Sequence, residues 1–181
     1  MHWAVLAFSL KRIFLENTAL TNHSPFSRGL QRETKRAAVL SCAAKLLNTK
    51  GARSTTLTDI ASRLGLTKTS LYYYVSNKED LIYQCYQANM QQAHEQLDRA
   101  EQNNTAPLAC LLEFLDSQIA TTLRSLDGEG DFYAAPLEFA SLKAEYRNAL
   151  ETAYRQLLGR LIDLVKRGMA LGDIRPCDPI V

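Results

Sequence analysis

The stretch from Thr55 to Lys78, TTLTDIASRLGLTKTSLYYYVSNK, decides the fold of this chain of 181 residues. Thr56 is a good helix N-cap, and Asp59 follows it at the spacing of a capping box. Gly65 stands where a helix commonly ends with a residue at positive φ. Between them, apolar residues recur on one helical face: Ile60, Ala61 and Leu64. The pattern predicts a short helix that stops at a tight turn.

A second short helix follows the turn, with Thr67 as its cap and Leu71 and Val75 as a buried seam. The polar side chains of this helix lie away from the buried seam: Lys68, Thr69, Ser70, Tyr72 and Tyr73. A cation, hydroxyls and phenols supply hydrogen-bond donors and acceptors for base edges and phosphates. No carboxylate stands among them to repel the DNA backbone. The second helix therefore has the side chains of a helix that reads the major groove.

The same stretch resembles the DNA-binding signature of the TetR/AcrR family of bacterial transcription regulators. The family pattern TT-x-x-x-IA-x-x-x-G is met by Thr55, Thr56, Ile60, Ala61 and Gly65. Its continuation, LY-x-x-(V/F)-x-x-KE, is met by Leu71, Tyr72, Val75, Lys78 and Glu79. The match to the family's first helix comes from Val39, Leu40, Ala43, Ala44, Leu47 and Gly51. The resemblance covers about residues 32–86.

This resemblance implies an all-α fold, in which a three-helix DNA-binding bundle with a helix-turn-helix precedes a helical ligand-binding and dimerisation domain. The partners it implies are a double-stranded DNA operator, a small-molecule effector and a second copy of the chain. Lys78 opens a long helix, where its ammonium and the first backbone N–H groups form a phosphate site. The DNA-contacting residues are expected to be Thr56, Thr58, Thr67, Lys68, Thr69, Ser70, Tyr72, Tyr73 and Lys78.

Charge divides the chain into two unlike parts. Residues 28–78 hold ten basic and two acidic side chains, a net charge of +8. From Glu79 onward there are nine basic and sixteen acidic side chains, a net charge of −7. A polyanionic partner is therefore expected for the first part only.

The first 30 residues lie outside the family pattern. Trp3–Leu10 is apolar but too short to span a bilayer. Its cations, Lys11 and Arg12, follow the apolar run, whereas a secretory signal places them before it. Residues 1–30 are thus expected to be a disordered or loosely helical extension, or sequence translated from upstream of the true start. Asn22–Gly29 has the composition of a linker.

Helical periodicity extends through the remaining chain. We expect helices over Gln31–Lys50, from Asn77 to about Gln102, from Pro107, and over Ala144–Ala170. The DNA-binding domain is expected to span residues 31–78 and to pack on the next helix to about residue 86. A regulatory domain then occupies residues 79–181. In the helix that starts at Pro107, the buried stripe is predicted to be Leu108, Leu111, Leu112, Leu115, Ile119, Thr122 and Leu126.

The regulatory half offers aromatic residues but no catalytic pattern. An apolar effector cavity is hypothesised at Phe114, Phe132, Tyr133, Phe139 and Tyr146, with plain core packing as the alternative. No G-x-S-x-G, glycine-rich phosphate loop or paired histidine and carboxylate supports an enzyme. The four cysteines are far apart, so neither a disulfide framework nor a metal site is expected. Reduced thiols and a DNA partner fit the cytoplasm, and no cofactor or membrane contact is expected.

The chain ends at Val181, whereas the resembled family has two further long helices that form its dimer interface. The regulatory domain is therefore expected to be incomplete, with weak dimerisation and exposed apolar residues on the last long helix. The function expected is a small-molecule-responsive repressor that binds a palindromic operator as a dimer. The alternative is a non-enzymatic ligand-binding or interaction module that has lost effective operator binding.

Overall fold

The computed structural model describes residues 25–127 and 136–178. The chain forms two compact units, Met1–Ala38 and Val39–Val181. Of the first unit, the described part is helical from Pro25. The second unit contains the helix-turn-helix and the regulatory helices.

Every regular element in the described ranges is helical. The α-helices are α1 (Pro25–Ser54), α2 (Leu57–Arg63), α3 (Lys68–Leu71), α4 (Lys78–Asn103), α5 (Pro107–Leu126) and α6 (Ala144–Leu171). A 3₁₀-helix covers Pro136–Ser141. Within the second unit, α4, α5 and α6 each pack against the other two. This arrangement confirms the predicted all-α fold.

The polypeptide leaves helical geometry near the end of α1. Gly51 has φ 76° and ψ 159°, a conformation that favours glycine and that ends the regular helix where the sequence predicts it. Thr55, which is buried, donates its hydroxyl to the carbonyls of Gly51 at 2.9 Å and Leu46 at 3.2 Å. The first threonine of the family pattern therefore holds the end of α1 instead of facing solvent.

The first helix of the helix-turn-helix, α2, is closed at both ends by hydrogen bonds. The Thr56 hydroxyl accepts from the Asp59 amide at 3.1 Å, and the Asp59 carboxylate accepts from the Thr56 amide at 2.9 Å, as predicted. After α2, Gly65 has φ 65°. The Leu66 amide donates to the carbonyl of Ala61 at 2.8 Å, the bond that defines a Schellman ending. These bonds fix the direction in which α3 leaves the turn.

Two hydrophobic clusters form the core. The first joins α1–α3 to the beginning of α4 and continues to Leu142 and Leu150, beyond the predicted domain boundary. The second lies among α4, α5 and α6 and includes Leu97, Phe114 and Leu157. Because α4 contributes to both, a displacement of this helix affects the packing of both clusters.

The prediction for the buried face of α5 is wrong. The helix buries Cys110, Phe114, Thr121 and Ser125. Most of the predicted stripe faces solvent in the described part of the chain, and Leu126 is 69% exposed. The exposed apolar row, here called the α5 leucine row, consists of Leu108, Leu112, Leu115, Ile119, Leu123 and Leu126. A periodic apolar pattern marks one face of a helix, but the position of neighbouring helices decides whether that face is buried.

A charged cluster ties α6 to α4. The Arg160 guanidinium donates to the carboxylates of Asp98 at 2.7 Å and Glu101 at 2.5 Å. A ring nitrogen of His94 lies 3.3 Å from the carbonyl of Ala153. These contacts join the two long helices side by side.

Two further expectations differ from the structure or fall outside it. The linker predicted over Asn22–Gly29 is wrong from Pro25 onward, because α1 already begins there. Proline suits the first turn of a helix, where its missing N–H costs no hydrogen bond. The remaining residues of the predicted extension, 1–24, lie outside the described residues, as does the region 128–135.

Candidate nucleic-acid interface

The recognition helix, here meaning α3 with the turn that follows it to Tyr74, separates a buried seam from an exposed polar face. Leu71 and Val75 are buried, as predicted. The residues predicted to read DNA are all exposed: Lys68, Thr69, Ser70, Tyr72 and Tyr73. Tyr73, at 74%, is the most exposed of the large hydrophobic side chains among the described residues. The protein thus presents a cation, hydroxyls and phenols together on one surface.

Local contacts order part of this face. The Thr67 hydroxyl accepts from the Ser70 amide at 3.1 Å and lies 2.8 Å from the Ser70 hydroxyl. The Lys68 ammonium lies 6.0 Å from the centre of the Tyr72 ring, within cation–π distance. Thr67 and Ser70 therefore cap the helix, and the Tyr72 ring lies next to the Lys68 ammonium.

The start of α4 lies immediately after the recognition helix. The Asn77 side chain accepts from the Asp80 amide at 2.8 Å and caps α4, and the Asp80 carboxylate accepts from the Ser76 amide at 2.7 Å. Buried Gln84 donates to the carbonyl of Tyr74 at 3.1 Å and also to Asp80. Lys78, which is half-buried, is thereby fixed at the first helical position. Sequence reasoning missed Gln84, although its place one turn after Asp80 is a detectable signal.

The N-terminus of α2 presents two further predicted contacts. Thr56 and Thr58 are exposed. Hydrogen bonds from the amide and hydroxyl of Thr56 lower the pKa of Asp59, and the charge of Lys50 acts in the same direction. Asp59 is therefore ionised at neutral pH, and its carboxylate accepts the hydrogen bonds from Thr56.

A cavity of about 490 Å³ lies between α4, the 3₁₀-helix and the first half of α6. Its apolar walls are Tyr86, Met90, Phe139, Leu150 and Tyr154, and its remaining lining residues are Glu151 and Arg155. The rings of Tyr86 and Phe139 meet edge to face, with centroids 6.0 Å apart. The volume lies within the usual range of small-molecule sites, about 300–1,000 Å³.

The structure distributes the residues predicted for effector binding among different places. Phe139 lines the cavity. Tyr146 stacks on Tyr83, with ring centroids 4.2 Å apart and planes at 7°. Phe114 belongs to the second hydrophobic cluster, and Phe132 and Tyr133 lie outside the described residues. Most of the cavity walls come from α4 and α6, where helical spacing alone does not distinguish a cavity wall from a core position.

The described residues also limit other kinds of site. They contain no group of three or more histidine, cysteine, aspartate or glutamate side chains placed to hold a metal ion. None of the described helices combines the length and the apolar character needed to cross a membrane. All four cysteines are free thiols; Cys177 is exposed and the other three are buried.

A helix-turn-helix with an exposed polar recognition face, joined through one long helix to a helical second half, defines a DNA-binding transcriptional regulator. Residues 39–85 match the model of the family described as bacterial regulatory proteins, tetR family. The helix-turn-helix of this chain is therefore that of a TetR-family regulator.

Several known regulators are similar over most of the chain. The transcriptional regulator TtgR of Pseudomonas putida is 29% identical over 155 residues, which cover 80% of this chain and 72% of TtgR. The crystal structure of the TetR-family regulator PfmR from Thermus thermophilus has a TM-score of 0.66 and 25% identity, over 78% of this chain and 75% of that one. The structure of AibR in complex with isovaleryl coenzyme A and operator DNA has a TM-score of 0.65 and 27% identity, over 80% and 77%.

Proposed function

We propose that this regulator is a small-molecule-responsive repressor that binds a palindromic operator as a homodimer. The observation that carries the proposal is the exposed recognition face, backed by the buried seam of Leu71 and Val75. The AibR complex with operator DNA and an acyl thioester supports the pairing of these two partners in a similar fold. The expected site of action is the bacterial cytoplasm, and no catalytic activity is proposed.

The proposed DNA contacts divide into two kinds. Lys68, Thr69 and Ser70 face base edges in the major groove, where side-chain donors and acceptors distinguish base pairs. Thr56, Thr58, Thr67, Tyr72, Tyr73 and Lys78 surround them and are proposed to contact phosphates and sugars. Such backbone contacts set the register of the protein on the duplex without reading its sequence.

Dimerisation is proposed because one bundle makes few phosphate contacts. A single copy is expected to bind near the non-specific range, with a Kd of about 10⁻⁴ to 10⁻⁶ M. A two-fold dimer places two recognition helices in successive major grooves, about 34–36 Å apart. Helix α4 then couples effector to DNA, since it contributes to the clusters of both halves.

Footprinting of the protein on DNA that flanks its own gene tests the proposal. The expected result is a protected inverted repeat with its half-sites one helical turn apart, and a transcript that rises when the protein is removed. Protection of a single half-site would contradict the dimer. No preference for any sequence over random DNA would favour a ligand-binding module without operator activity.

A further inference from the structure

We infer that the cavity between α4 and α6 binds an uncharged, mainly apolar molecule that contains an aromatic ring system. This inference rests on the proposed function, because it names the chemical class of the effector. The cavity is the proposed binding site, and the side chains of its walls indicate the chemical class of the ligand.

The walls are apolar and largely aromatic. Tyr86 and Phe139 already form an edge-to-face pair on one side, and Tyr154 lines the cavity while remaining 56% exposed. Aromatic rings gain from offset or edge-to-face contacts with centroids about 4.5–7 Å apart. A flat ligand can therefore continue the packing that Tyr86 and Phe139 begin, and its entry covers the open ring of Tyr154.

The two charges on the cavity wall neutralise each other. An Arg155 nitrogen lies 3.6 Å from a Glu151 carboxylate oxygen, one helical turn away on α6. Among the described residues, the other side chains that line the cavity are aromatic rings, a leucine and a methionine. A charged ligand would lose its hydration on entering the cavity. In the described part of the wall the only two charges already pair with each other, so burial of a ligand charge there is unfavourable. The cavity therefore favours a neutral ligand over an anion or a cation.

The same side chains that meet the ligand also pack on the DNA-binding bundle. Leu150 is a buried member of the first cluster, and Tyr86, Met90 and Phe139 pack against that cluster. A ligand that shifts these side chains changes the packing beneath the recognition helix directly. Effector binding is thus expected to alter DNA affinity through shared core contacts as well as through the course of α4.

Two fluorescent probes with one ring skeleton test the chemical class. N-phenylnaphthylamine is neutral at pH 7, and anilinonaphthalenesulfonate adds one negative charge; both become brighter in apolar surroundings. The full chain is titrated with each probe in the absence of DNA. The neutral probe is expected to bind saturably and at least about tenfold more tightly than the sulfonate, because burying the added charge costs free energy. Equal affinity, or tighter binding of the sulfonate, would overturn the inference.

Variants of the charge pair provide a reciprocal test. Glu151→Gln removes the carboxylate that pairs with Arg155, so the affinity for the sulfonate should rise and approach that for the neutral probe. Arg155→Gln should lower the sulfonate affinity further. The readout is the ratio of neutral-probe affinity to sulfonate affinity, which should fall in Glu151→Gln and rise in Arg155→Gln. Identical behaviour of the two variants towards the sulfonate would show that the probes do not occupy this cavity.

The α5 leucine row is the control for location, since apolar probes also bind exposed apolar surfaces. Tyr154→Glu puts a charge into the cavity wall and should weaken the neutral probe at least about tenfold. Tyr154→Phe keeps the ring and should retain binding, and Ile119→Gln alters the leucine row without touching the cavity. Loss of binding in the Ile119 variant alone would assign the probe to α5 and refute the cavity site.

The DNA-binding assay remains independent of these titrations. Operator protection without saturable binding of the neutral probe would refute this inference and leave the proposed function in place. Saturable probe binding without operator protection would refute the proposed function and leave the cavity as a binding site for neutral ligands.

Discussion

The carboxylate of Glu79 accepts a hydrogen bond from the backbone amide of Lys143, and so joins the first turn of α4 to the N-terminus of α6. The Lys143 ammonium adds an ion pair with the same carboxylate at 3.8 Å. Lys143 is the N-cap residue of α6, but its side chain makes no capping hydrogen bond. The Glu79 carboxylate, on α4, supplies the acceptor instead. The residue beside the proposed phosphate contact Lys78 is therefore fixed to the regulatory half.

Glu79→Ala should lower the free energy of unfolding by about 1 kcal/mol, because α6 loses both an amide partner and a negative charge at its N-terminus. Thermal or urea unfolding measures this change. Lys143→Ala is the matched control, since it removes the partly exposed ion pair but keeps the backbone amide. It should cost less than about 0.5 kcal/mol. Equal losses in the two variants would mean that the cap is not formed.

Lys78→Ala should weaken binding to all DNA sequences alike. A phosphate contact contributes about 0.9 to the slope of log affinity against log salt concentration, so the slope should fall by about one. The control is Lys166→Ala, an exposed lysine on α6. Titrations with operator and random DNA at several salt concentrations measure both slopes. An unchanged slope in the Lys78 variant would remove this residue from the interface.

Substitution within the recognition helix should change base preference. Alanine at Lys68, Thr69 or Ser70 is expected to lose about 1–3 kcal/mol of discrimination for each good base contact removed. Tyr72→Ala should reduce affinity without relaxing preference, as expected of a side chain that is proposed to contact the DNA backbone. Selection from a randomised operator library, followed by sequencing, reports the preference. An unaltered selection in all three polar variants would exclude α3 as the reading helix.

Thr55→Val should destabilise the fold by about 1–3 kcal/mol, although the two side chains have nearly the same shape. The buried hydroxyl satisfies the carbonyls of Leu46 and Gly51, and valine leaves them with one partner fewer. Thr58→Val, at an exposed position on α2, should change stability by less than about 0.5 kcal/mol. Urea unfolding of the two variants gives the comparison. A small effect at position 55 would show that water satisfies these carbonyls.

Only one thiol of the folded chain should react rapidly with a thiol reagent at pH 8. Burial raises the pKa of Cys85 to about 12, and burial also raises the pKa of Cys42 and Cys110. Because thiolate is the reactive form, these groups stay inert until the protein unfolds. Cys177→Ser should abolish the fast phase and Cys85→Ala should leave it intact. A fast phase in the Cys177 variant would contradict the burial of the other thiols.

The raised pKa of Cys85 also makes the stability of the fold depend on pH, with a definite sign. The folded pKa of Cys85 lies above the unfolded value, so the folded state retains this proton to higher pH. Its contribution to stability is complete below the unfolded pKa, about 8.5, and is lost as the pH rises towards 12.

Local sequence signals predicted the helix-turn-helix well, because its geometry is set by residues close together in the chain. The capping box of Thr56 and Asp59, the positive φ of Gly65 and the cap at Thr67 are all decided within one or two turns. The burial of Leu71 follows from the same local periodicity. The predicted start of α5 at Pro107 and the end of α6 before Gly172 were found for the same reason.

Features that depend on distant parts of the chain were not predictable in this way. The periodicity of α5 located its apolar row correctly, but nothing local to Leu115 or Ile119 shows whether another helix covers that row. The cavity arises because α4 and α6 leave space between Met90 and Tyr154. The contact of Glu79 with Lys143 joins positions far apart in sequence. The predicted roles of individual residues in DNA binding stay predictions.

The continuity of the first hydrophobic cluster bears on how hybrid regulators should be built. An exchange of DNA-binding halves between relatives, with the junction placed after Lys78, would separate Leu81 and Cys85 from the α1–α3 residues they contact, and Leu142 and Leu150 from the same core. The foreign bundle would meet an unmatched surface at all four positions. A transplant that carries the early part of α4 together with Leu142 and Leu150 preserves these contacts. The unit of exchange in this protein is therefore discontinuous in sequence.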